Sequence, residues 1–308
     1  MEFRNVFISN PAKLSVSKAQ LVIEQDEKVT IPIEDIGCVL IESQQVTITA
    51  ATLSALSDSG VNLFTCDEKH MPCGTLLPMN SHCRQLKVLK KQMEISKPVE
   101  KQIWKEIVVR KIENQAQCLA LSQRPGADAL MNMAKAVVSG DVENVEAKAA
   151  AYYFPALFGC GFYRGEDVAV NSALNYGYAI IRGIIARNLV VRGLEPCIGI
   201  HHHSELNQFN LADDLIEPFR PVIDRLVHSM NLQPDEKMSP QLKHSIFNVA
   251  NLVIALDNKK FRVYSAIGRS VMSFSQSVEA NANKIELPSL LPLEEYRDAE
   301  GYYCSCFL

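Results

Sequence analysis

The spacing of apolar residues changes once along this chain, near residue 80. Before that point, short apolar stretches rich in β-branched residues alternate with polar and turn residues, as in Val29-Thr30-Ile31 and Val46-Thr47-Ile48. Apolar stretches of this length, bounded by turn residues, predict β-strands. One helix is predicted over Ala50–Asp58, where two leucines share a helical face. The first part of the chain therefore predicts a small, mostly antiparallel sheet domain.

After residue 80 the apolar residues recur at helical spacing, and glycine or proline delimits most of the periodic segments. The predicted helices begin after Pro98 and then cover residues 127–138, 143–158, 169–192, 211–230, 240–256 and 258–279. Strands followed by helices, rather than alternating with them, are typical of an α+β fold. We therefore expect a small, mostly antiparallel β domain over residues 1–80 and a larger all-helical domain over residues 81–308.

Composition limits the class of protein. Apolar residues make up 47% of the 308 residues and charged residues 21%, which is typical of a globular protein with a full core. The N-terminus lacks the apolar core of a signal peptide, and no apolar run approaches the roughly 20 residues that span a bilayer. The nine cysteines include no C-x-x-C pair, which argues against a disulfide framework and a structural zinc site. We expect a cytoplasmic protein.

Charge is distributed unevenly along the chain. The formal net charge is −4, yet residues 84–111 contain nine Lys and Arg residues against three Glu, a local net charge of +6. A charge run of this kind is often a solvated helix face. A local basic surface is also what a protein needs in order to bind nucleic acid. The residues alone leave both interpretations open.

The most polar candidate site lies between two long apolar segments, at residues 194–224. Three consecutive histidines, residues 201–203, follow a segment that glycine and proline interrupt. On the predicted helix after them, Asp214, Glu217 and Arg220 are each three residues apart and share one face. An imidazole facing two carboxylates provides mixed nitrogen and oxygen ligands. Such a set suits Mg²⁺ or Mn²⁺, and Zn²⁺ stays open.

A metal site of that kind needs one more carboxylate. Glu143 and Glu146 are the candidates, and Glu146 stands deeper in an alanine-rich helical run, where a carboxylate is costly unless it is paired or metal-bound. Structural explanations stay open for each part. The histidines could form a surface cluster, and the acidic residues could be a solvated helix start that complements the helix dipole. Glu146 could pair with Lys148 or with an arginine.

Several long blocks carry a resemblance to a known family. The blocks are NVEAKAAAYYFPALFG (144–159), VNSALNYGYAIIR (170–182) and GIHHHSELNQFNLADDLIEPFRP (199–221), together with ISNPAKLSV, IPIEDIGCVLIES and KQIWKEIVVRKIENQA upstream. In this order they resemble the Cas1 family of CRISPR-associated integrases, and type II members in particular. The resemblance covers nearly the whole chain. It implies an N-terminal β domain that forms the dimer surface and a helical catalytic domain.

The resemblance also implies a site for one divalent metal ion, Mg²⁺ or Mn²⁺. By motif position, the implied catalytic metal ligands are Glu146, His202 and Glu217. The implied supporting residues are Asp214, His201 and Arg220, of which Arg220 either braces Glu217 or neutralises phosphate charge. His203 is given no ligand role. The implied reaction is a transesterification, in which the 3′-hydroxyl of a short DNA duplex attacks a phosphodiester of a CRISPR repeat. The family combines this reaction with DNA endonuclease activity.

Partners follow from the same resemblance. It implies double-stranded DNA as substrate, a second copy of the chain, a small partner dimer called Cas2 and, in type II systems, the effector nuclease. Two basic groups become candidate surfaces for the DNA backbone. Their residues are Arg84, Lys87, Lys90, Lys91, Lys101, Lys105, Lys259, Lys260 and Arg262. A stand-alone metal-dependent nuclease or junction resolvase, and a non-catalytic DNA-binding scaffold, stay open as alternatives.

Overall fold

The structure is a computed structural model that describes residues 3–79, 82–291 and the backbone of 306–307. Residues 80 and 81, at the predicted domain boundary, and residues 292–305, in the predicted helical domain, lie outside the described residues. Among the described residues, a region rich in strands precedes a larger helical part, which confirms the predicted fold class. The division into two domains near residue 80 stays a prediction.

The strands form two sheets and one separate hairpin. They are β1 (Arg4–Ile8), β2 (Lys13–Ser17), β3 (Gln20–Glu24), β4 (Lys28–Pro32), β5 (Ile36–Ile41), β6 (Thr47–Ile48), β7 (Asn62–Cys66), β8 (Pro72–Thr75), β9 (Val253–Leu256), β10 (Lys259–Arg262) and β11 (Cys306–Phe307). One sheet has the order β11-β1-β5-β7-β8, and the other has the order β4-β3-β2-β6. The hairpin consists of β9 and β10.

Strand pairing in the N-terminal region is mixed rather than mostly antiparallel. Strands β1, β5 and β7 pair in parallel, and so do β1 with β11 and β2 with β6. Antiparallel pairing joins β2 to β3, β3 to β4, and β7 to β8. The parallel pairs arise because the chain crosses over between their strands: β2–β4 lie between β1 and β5, and a helix lies between β5 and β7. Short stretches separated by turn residues do not reveal such crossovers.

The helices are α1 (Ala50–Asp58), α2 (Gln85–Met93), α3 (Lys97–Leu121), α4 (Ala127–Ala136), α5 (Val145–Phe158), α6 (Ala169–Val191), α7 (Asn210–Ile216), α8 (Arg220–Ser229), α9 (Pro240–Phe247) and α10 (Val263–Ala280). The helix predicted over 211–230 is divided into α7 and α8 by a short 3₁₀ segment, Glu217–Phe219. The division has a local cause. Pro218 and Pro221 carry no backbone N–H, so they cannot continue the hydrogen bonds of one helix.

The predicted all-helical part contains the β9–β10 hairpin, where the sequence predicted helix. Asp257 and Asn258, between the two strands, both have positive φ angles of 49° and 57°. Two positive φ angles are what a type I′ hairpin turn requires, and Asp and Asn tolerate them. Short apolar strands have the same composition as a buried helix segment, so apolar spacing alone did not separate the two.

One large core joins the helices to the five-stranded sheet. Its buried members include Ile107 and Ile112 of α3, Ile181 of α6, and also Phe7 and Phe64 of the sheet. A smaller core fills the space between the two sheets. Helices α3 and α6 run through this core and are buried along most of their length. No helix within the described part of the chain is long and apolar enough to cross a membrane.

Candidate metal centre

Asp214 holds the backbone of the loop that carries the three histidines, residues 201–203. It is fully buried on α7, and its carboxylate accepts three backbone N–H groups, from Ile200 at 2.7 Å, His201 at 3.2 Å and His202 at 3.1 Å. A side chain at Gly199 would collide with this arrangement, because its Cβ would lie 2.3 Å from the His202 carbonyl oxygen. The interpretation of Asp214 as part of a solvated helix start is therefore wrong.

The same carboxylate orients the ring of His202. Nδ1 of His202 lies 2.7 Å from Oδ1 of Asp214, and this hydrogen bond raises the pKa of His202 above its usual value. A carboxylate on one ring nitrogen sets the tautomer and leaves the other nitrogen to bind a metal or a proton. The His202 side chain is 43% exposed, so Nε2 is the nitrogen available for a ligand.

Trp104 of α3 packs against the loop that carries the histidines. Its indole stacks on the ring of His201, with centroids 3.9 Å apart and planes inclined by 5°. The edge of His202 faces the same indole at 6.0 Å. Burial lowers the pKa of His201, which favours a neutral ring in this stack. His201 therefore contacts Trp104 through its ring and Asp214 through its backbone N–H, and its supporting role stays a prediction.

Glu146 stands in the first turn of α5. The carboxylate of Asp141 accepts the N–H groups of Val145 at 2.9 Å and Glu146 at 3.0 Å, which satisfies donors that a helix start leaves unpaired. A carboxylate is favourable at this end of a helix because of the helix dipole. The Glu146 side chain is 26% exposed, so it faces the edge of the site rather than the core.

Lys111 of α3 joins the two glutamates that the sequence places 71 residues apart. Its ammonium contacts Oε1 of Glu146 and Oε2 of Glu217, and only 8% of the Lys111 side chain is exposed. Burial alone would lower the pKa of Lys111, but the charges of Glu217 and Glu146 outweigh it and raise the pKa. Glu146 therefore pairs with a lysine, but with Lys111 of another helix and not with Lys148.

Arg220 braces the other side of Glu217. Its Nε donates to Oε1 of Glu217 at 2.9 Å, and its guanidinium lies 4.5 Å from the ring centroid of Tyr178. Burial alone would raise the pKa of Glu217, but the charges of Arg220 and Lys111 overcome it and lower the pKa to about 2. Of the two roles that the sequence left open for Arg220, the geometry provides the brace.

The structure places the predicted ligands in two contacting groups rather than in one coordination shell. Glu146 and Glu217 share Lys111, and His202 is tied to Asp214 close to Trp104. Across the residues that the structure describes, no three His, Cys, Asp or Glu side chains approach closely enough to hold a metal ion. The ammonium of Lys111 contacts both glutamate carboxylates and occupies the position between them. The assignment of Glu146, His202 and Glu217 as ligands stays a prediction.

Two residues of this site were missed from the sequence. Trp104 and Lys111 are seven residues apart on α3, which places them on one helix face. The sequence shows that spacing, but it also places Lys111 in the basic run of residues 84–111, which predicts a surface position. Its burial depends on α5 and on the Glu217 turn, which pack over α3 from distant parts of the chain.

The candidate DNA contacts fall into separate groups. Arg84, Lys87, Lys90 and Lys91 line an open groove along α2, and Lys91 pairs with Glu279 of α10 at 3.0 Å. Lys101 is exposed and Lys105 is half-buried on α3. Lys259, Lys260 and Arg262 lie on β10, where the two lysines are exposed.

A polar pocket lies beside His202. Its lining includes Asn175, Tyr178, Arg182, Asp213 and Arg220.

Asp214→Asn is expected to lower metal affinity or activity by about 10- to 100-fold, the range for a residue that orients a metal-binding histidine. An asparagine retains one acceptor oxygen and turns an N–H₂ group toward backbone donors, so the free energy of unfolding should fall by about 2 kcal/mol. Titration calorimetry with Mn²⁺ and urea unfolding would measure both effects. Asp213→Asn is the matched control, because Asp213 pairs with Arg182 and Asn207 instead of the loop backbone. Equal effects of the two substitutions would contradict the assigned role.

Asp224 accepts a hydrogen bond from the Tyr178 hydroxyl, and its burial makes the stability of the protein sensitive to pH. Burial raises the pKa of Asp224 to about 6, against the lowering effect of the hydrogen bond from Tyr178. This folded value lies above the ordinary 3.8, so the folded protein binds the extra proton and stability falls as the pH rises through this window. Asp224→Asn cannot ionise, and it should exceed wild-type stability above about pH 6 by roughly 1 kcal/mol or more.

Urea unfolding at a series of pH values would measure this difference. The exposed Asp235 offers the control substitution Asp235→Asn, which should follow the wild-type profile. A wild-type profile that stays parallel to that of Asp224→Asn from acid to neutral pH would show that Asp224 does not titrate in this window.

Comparison with known proteins gives a matching family model and a relative of similar sequence. A family model described as CRISPR associated protein Cas1 matches residues 6–236. The CRISPR-associated endonuclease Cas1 of Neisseria meningitidis serogroup C (strain 8013) is 44% identical over 305 residues, covering 96% of this chain and 99% of the relative.

Solved structures show the same fold. A casposase bound to integration product superposes with a TM-score of 0.75 at 18% identity, covering 92% of both chains. A chain of a Cas6-RT-Cas1–Cas2 complex superposes with a TM-score of 0.69 at 14% identity, covering 94% of this chain and 36% of that one. At these identities the likeness concerns the fold.

Proposed function

Because this chain belongs to the CRISPR-associated Cas1 family, we propose that it binds one Mg²⁺ or Mn²⁺ ion through Glu146, His202 and Glu217. As a Cas1 protein it is a DNA endonuclease and integrase. At the proposed site it joins short DNA duplexes to a CRISPR repeat array. The observation that carries the proposal is the placement of Glu146 and Glu217, from separate helices, around one buried cation.

The residues present fit a divalent ion. Two carboxylates and one imidazole are the oxygen-rich set that Mg²⁺ and Mn²⁺ accept. The position between Glu146 and Glu217 already attracts positive charge, since Lys111 lies there. Nδ1 of His202 is held by Asp214, which leaves Nε2 for the ion. When bound, the ion would polarise the phosphoryl oxygen and ease ionisation of the attacking hydroxyl.

In this reaction a bond forms between the attacking 3′-oxygen and phosphorus, and the bond from phosphorus to the displaced 3′-oxygen breaks. One phosphodiester replaces another, so no chemical fuel is needed and positioning supplies most of the catalysis. Asp214 contributes by holding the His202 ring in one orientation. Arg220 contributes by fixing Glu217 with a hydrogen bond and by stacking on Tyr178.

The basic groove of α2 is the proposed track for the DNA backbone. Arg84, Lys87 and Lys90 are exposed along it, and contacts to phosphates position a duplex without reading its sequence. Lys101 and Lys105 extend this basic surface along α3, and the basic residues of β10 form a second surface. Binding through these lysines and arginines would weaken as salt concentration rises.

The proposed partners are a second copy of this chain, which would pair through the β domain, and a Cas2 dimer. The Cas6-RT-Cas1–Cas2 complex supports a Cas2 partner, since one of its chains shares this fold. A type II effector nuclease is a further proposed partner, and the cytoplasm is the proposed location.

A joining experiment tests the proposed function. The purified chain and its Cas2 partner would be mixed with a short duplex bearing 3′-hydroxyl ends, a supercoiled plasmid carrying a repeat array, and Mn²⁺. Covalent joining that a chelator abolishes is the expected result. Plasmid degradation without joining would favour the stand-alone nuclease or resolvase. DNA binding with neither reaction would favour the non-catalytic scaffold, and either result would overturn the proposal.

A further inference from the structure

Lys111 occupies an unusual position for a lysine. On α3, only 6% of the surface of the whole residue is exposed. Its ammonium contacts one oxygen of Glu146 and one oxygen of Glu217. Placing an ammonium in such a position is costly unless charged partners compensate for the loss of water. The second oxygen of Glu217 is taken by Arg220 at 2.9 Å. Lys111 is therefore tied to both carboxylates that are proposed to hold a metal ion.

The formal charges of the cluster formed by Lys111, Arg220 and the two glutamates sum to zero. Glu146 and Glu217 carry two negative charges, and Lys111 and Arg220 carry two positive charges. Arg220 contacts the Tyr178 ring and one oxygen of Glu217, whereas Lys111 contacts both glutamates. Lys111 lies between the carboxylates, on a side chain with four rotatable carbon–carbon bonds. Of these two cations, Lys111 is the one whose position a divalent ion would need.

We propose that Lys111 is a built-in competitor for the metal ion, whose ammonium neutralises Glu146 and Glu217 and must be displaced when a divalent cation binds. The inference rests on the proposed metal site. Two cations within a few ångströms repel each other strongly in a partly buried site. Lys111 therefore lowers the affinity for the metal, and the protein fills its site only where the divalent ion is abundant enough to replace the ammonium.

Metal affinity without DNA is the direct test. Mn²⁺ would be titrated calorimetrically into the full-length wild-type chain and into Lys111→Met, which keeps the length of the side chain and removes its charge. The variant is expected to bind Mn²⁺ about tenfold or more tightly, since the competing charge is gone. Lys148→Met is the matched control, because Lys148 is exposed on the same helix as Glu146. The control should stay within about twofold of wild type.

Thermal unfolding separates competition from a merely structural role. Without its ammonium, the glutamate pair should repel, so Lys111→Met should melt below wild type in chelator and gain more than wild type from added Mn²⁺. A variant that melts low and gains no more from Mn²⁺ than wild type would overturn the proposal. Lys111→Gln provides a second uncharged side chain. If neither variant folds at any Mn²⁺ concentration, the ion cannot replace the ammonium, and the proposal fails.

The titration also distinguishes two kinds of failure. If the wild-type chain binds Mn²⁺ with an affinity that Glu146→Gln and His202→Ala leave unchanged, the proposed metal site itself is wrong. If those substitutions weaken binding but Lys111→Met does not strengthen it, the metal site stands and only the competition is refuted.

Discussion

Replacement of Glu146 by glutamine is expected to lower DNA joining by roughly 10³-fold or more while the protein stays folded. A metal ion contributes several kcal/mol to the stabilisation of phosphoryl transfer, and each 1.4 kcal/mol is about a factor of ten in rate. Glutamine keeps the shape of the side chain but removes the charge that holds a divalent ion. The folded state should tolerate the change, because the Glu146 side chain is 26% exposed and Lys111 retains Glu217 as a partner.

A plasmid joining assay at saturating Mn²⁺ would measure the loss, and calorimetric titration would show whether Mn²⁺ binding weakens with it. Glu143→Gln is the matched control, since Glu143 lies three residues earlier and is exposed. It should join DNA at the wild-type rate. Wild-type joining by Glu146→Gln would remove Glu146 from the catalytic site.

Lys243→Met is expected to reduce the free energy of unfolding by about 3 kcal/mol, the lower end of the range for breaking a buried ion pair. Nζ of Lys243 on α9 lies 2.6 Å from Oε1 of Glu42, which directly follows β5, and the two side chains are only 6% and 4% exposed. The pair connects the five-stranded sheet to the helical part. His70 also approaches Glu42, at 3.4 Å, so the carboxylate keeps one weaker partner.

Urea unfolding would measure this loss. Lys237→Met provides the control, because Lys237 is exposed six residues earlier and its substitution should change stability little. The double variant Glu42→Leu with Lys243→Met replaces the pair by apolar side chains and should recover most of the loss, because no buried charge is left unpaired. A double variant as unstable as Lys243→Met would show that the lost packing of the lysine, rather than an unpaired Glu42, causes the effect.

A strand-rich region followed by a larger helical part could be predicted from the sequence, but helix α2 and several strand pairings could not. Helix α1 has the predicted bounds, Ala50–Asp58, because local apolar spacing and its flanking residues specify it. The parallel pairing of β1, β5 and β7 and the β9–β10 hairpin were not predicted. Strand neighbours depend on contacts between distant segments, and a short apolar segment is compatible with either a helix or a strand.

In the candidate site, too, some features could be predicted from the sequence and others could not. Motif resemblance selected Glu146, His202, Glu217 and Asp214, which the structure places in one region around Trp104 and Lys111. Resemblance could not show that Asp214 holds the loop backbone as well as the His202 ring. These contacts depend on α7 packing against α6 and on the turn at Gly199, and neither is visible in residue spacing.

The amino-acid sequence by itself determined which residue types are available for chemistry and which segments bury an apolar face, because both depend on local composition and period. The tertiary structure decided which charges meet. Lys111 illustrates the difference: within the basic run of residues 84–111 it is one cation among nine, and in the fold it lies buried between Glu146 and Glu217. Burial strengthens the interaction between charges several-fold, and only packing determines which charges are buried.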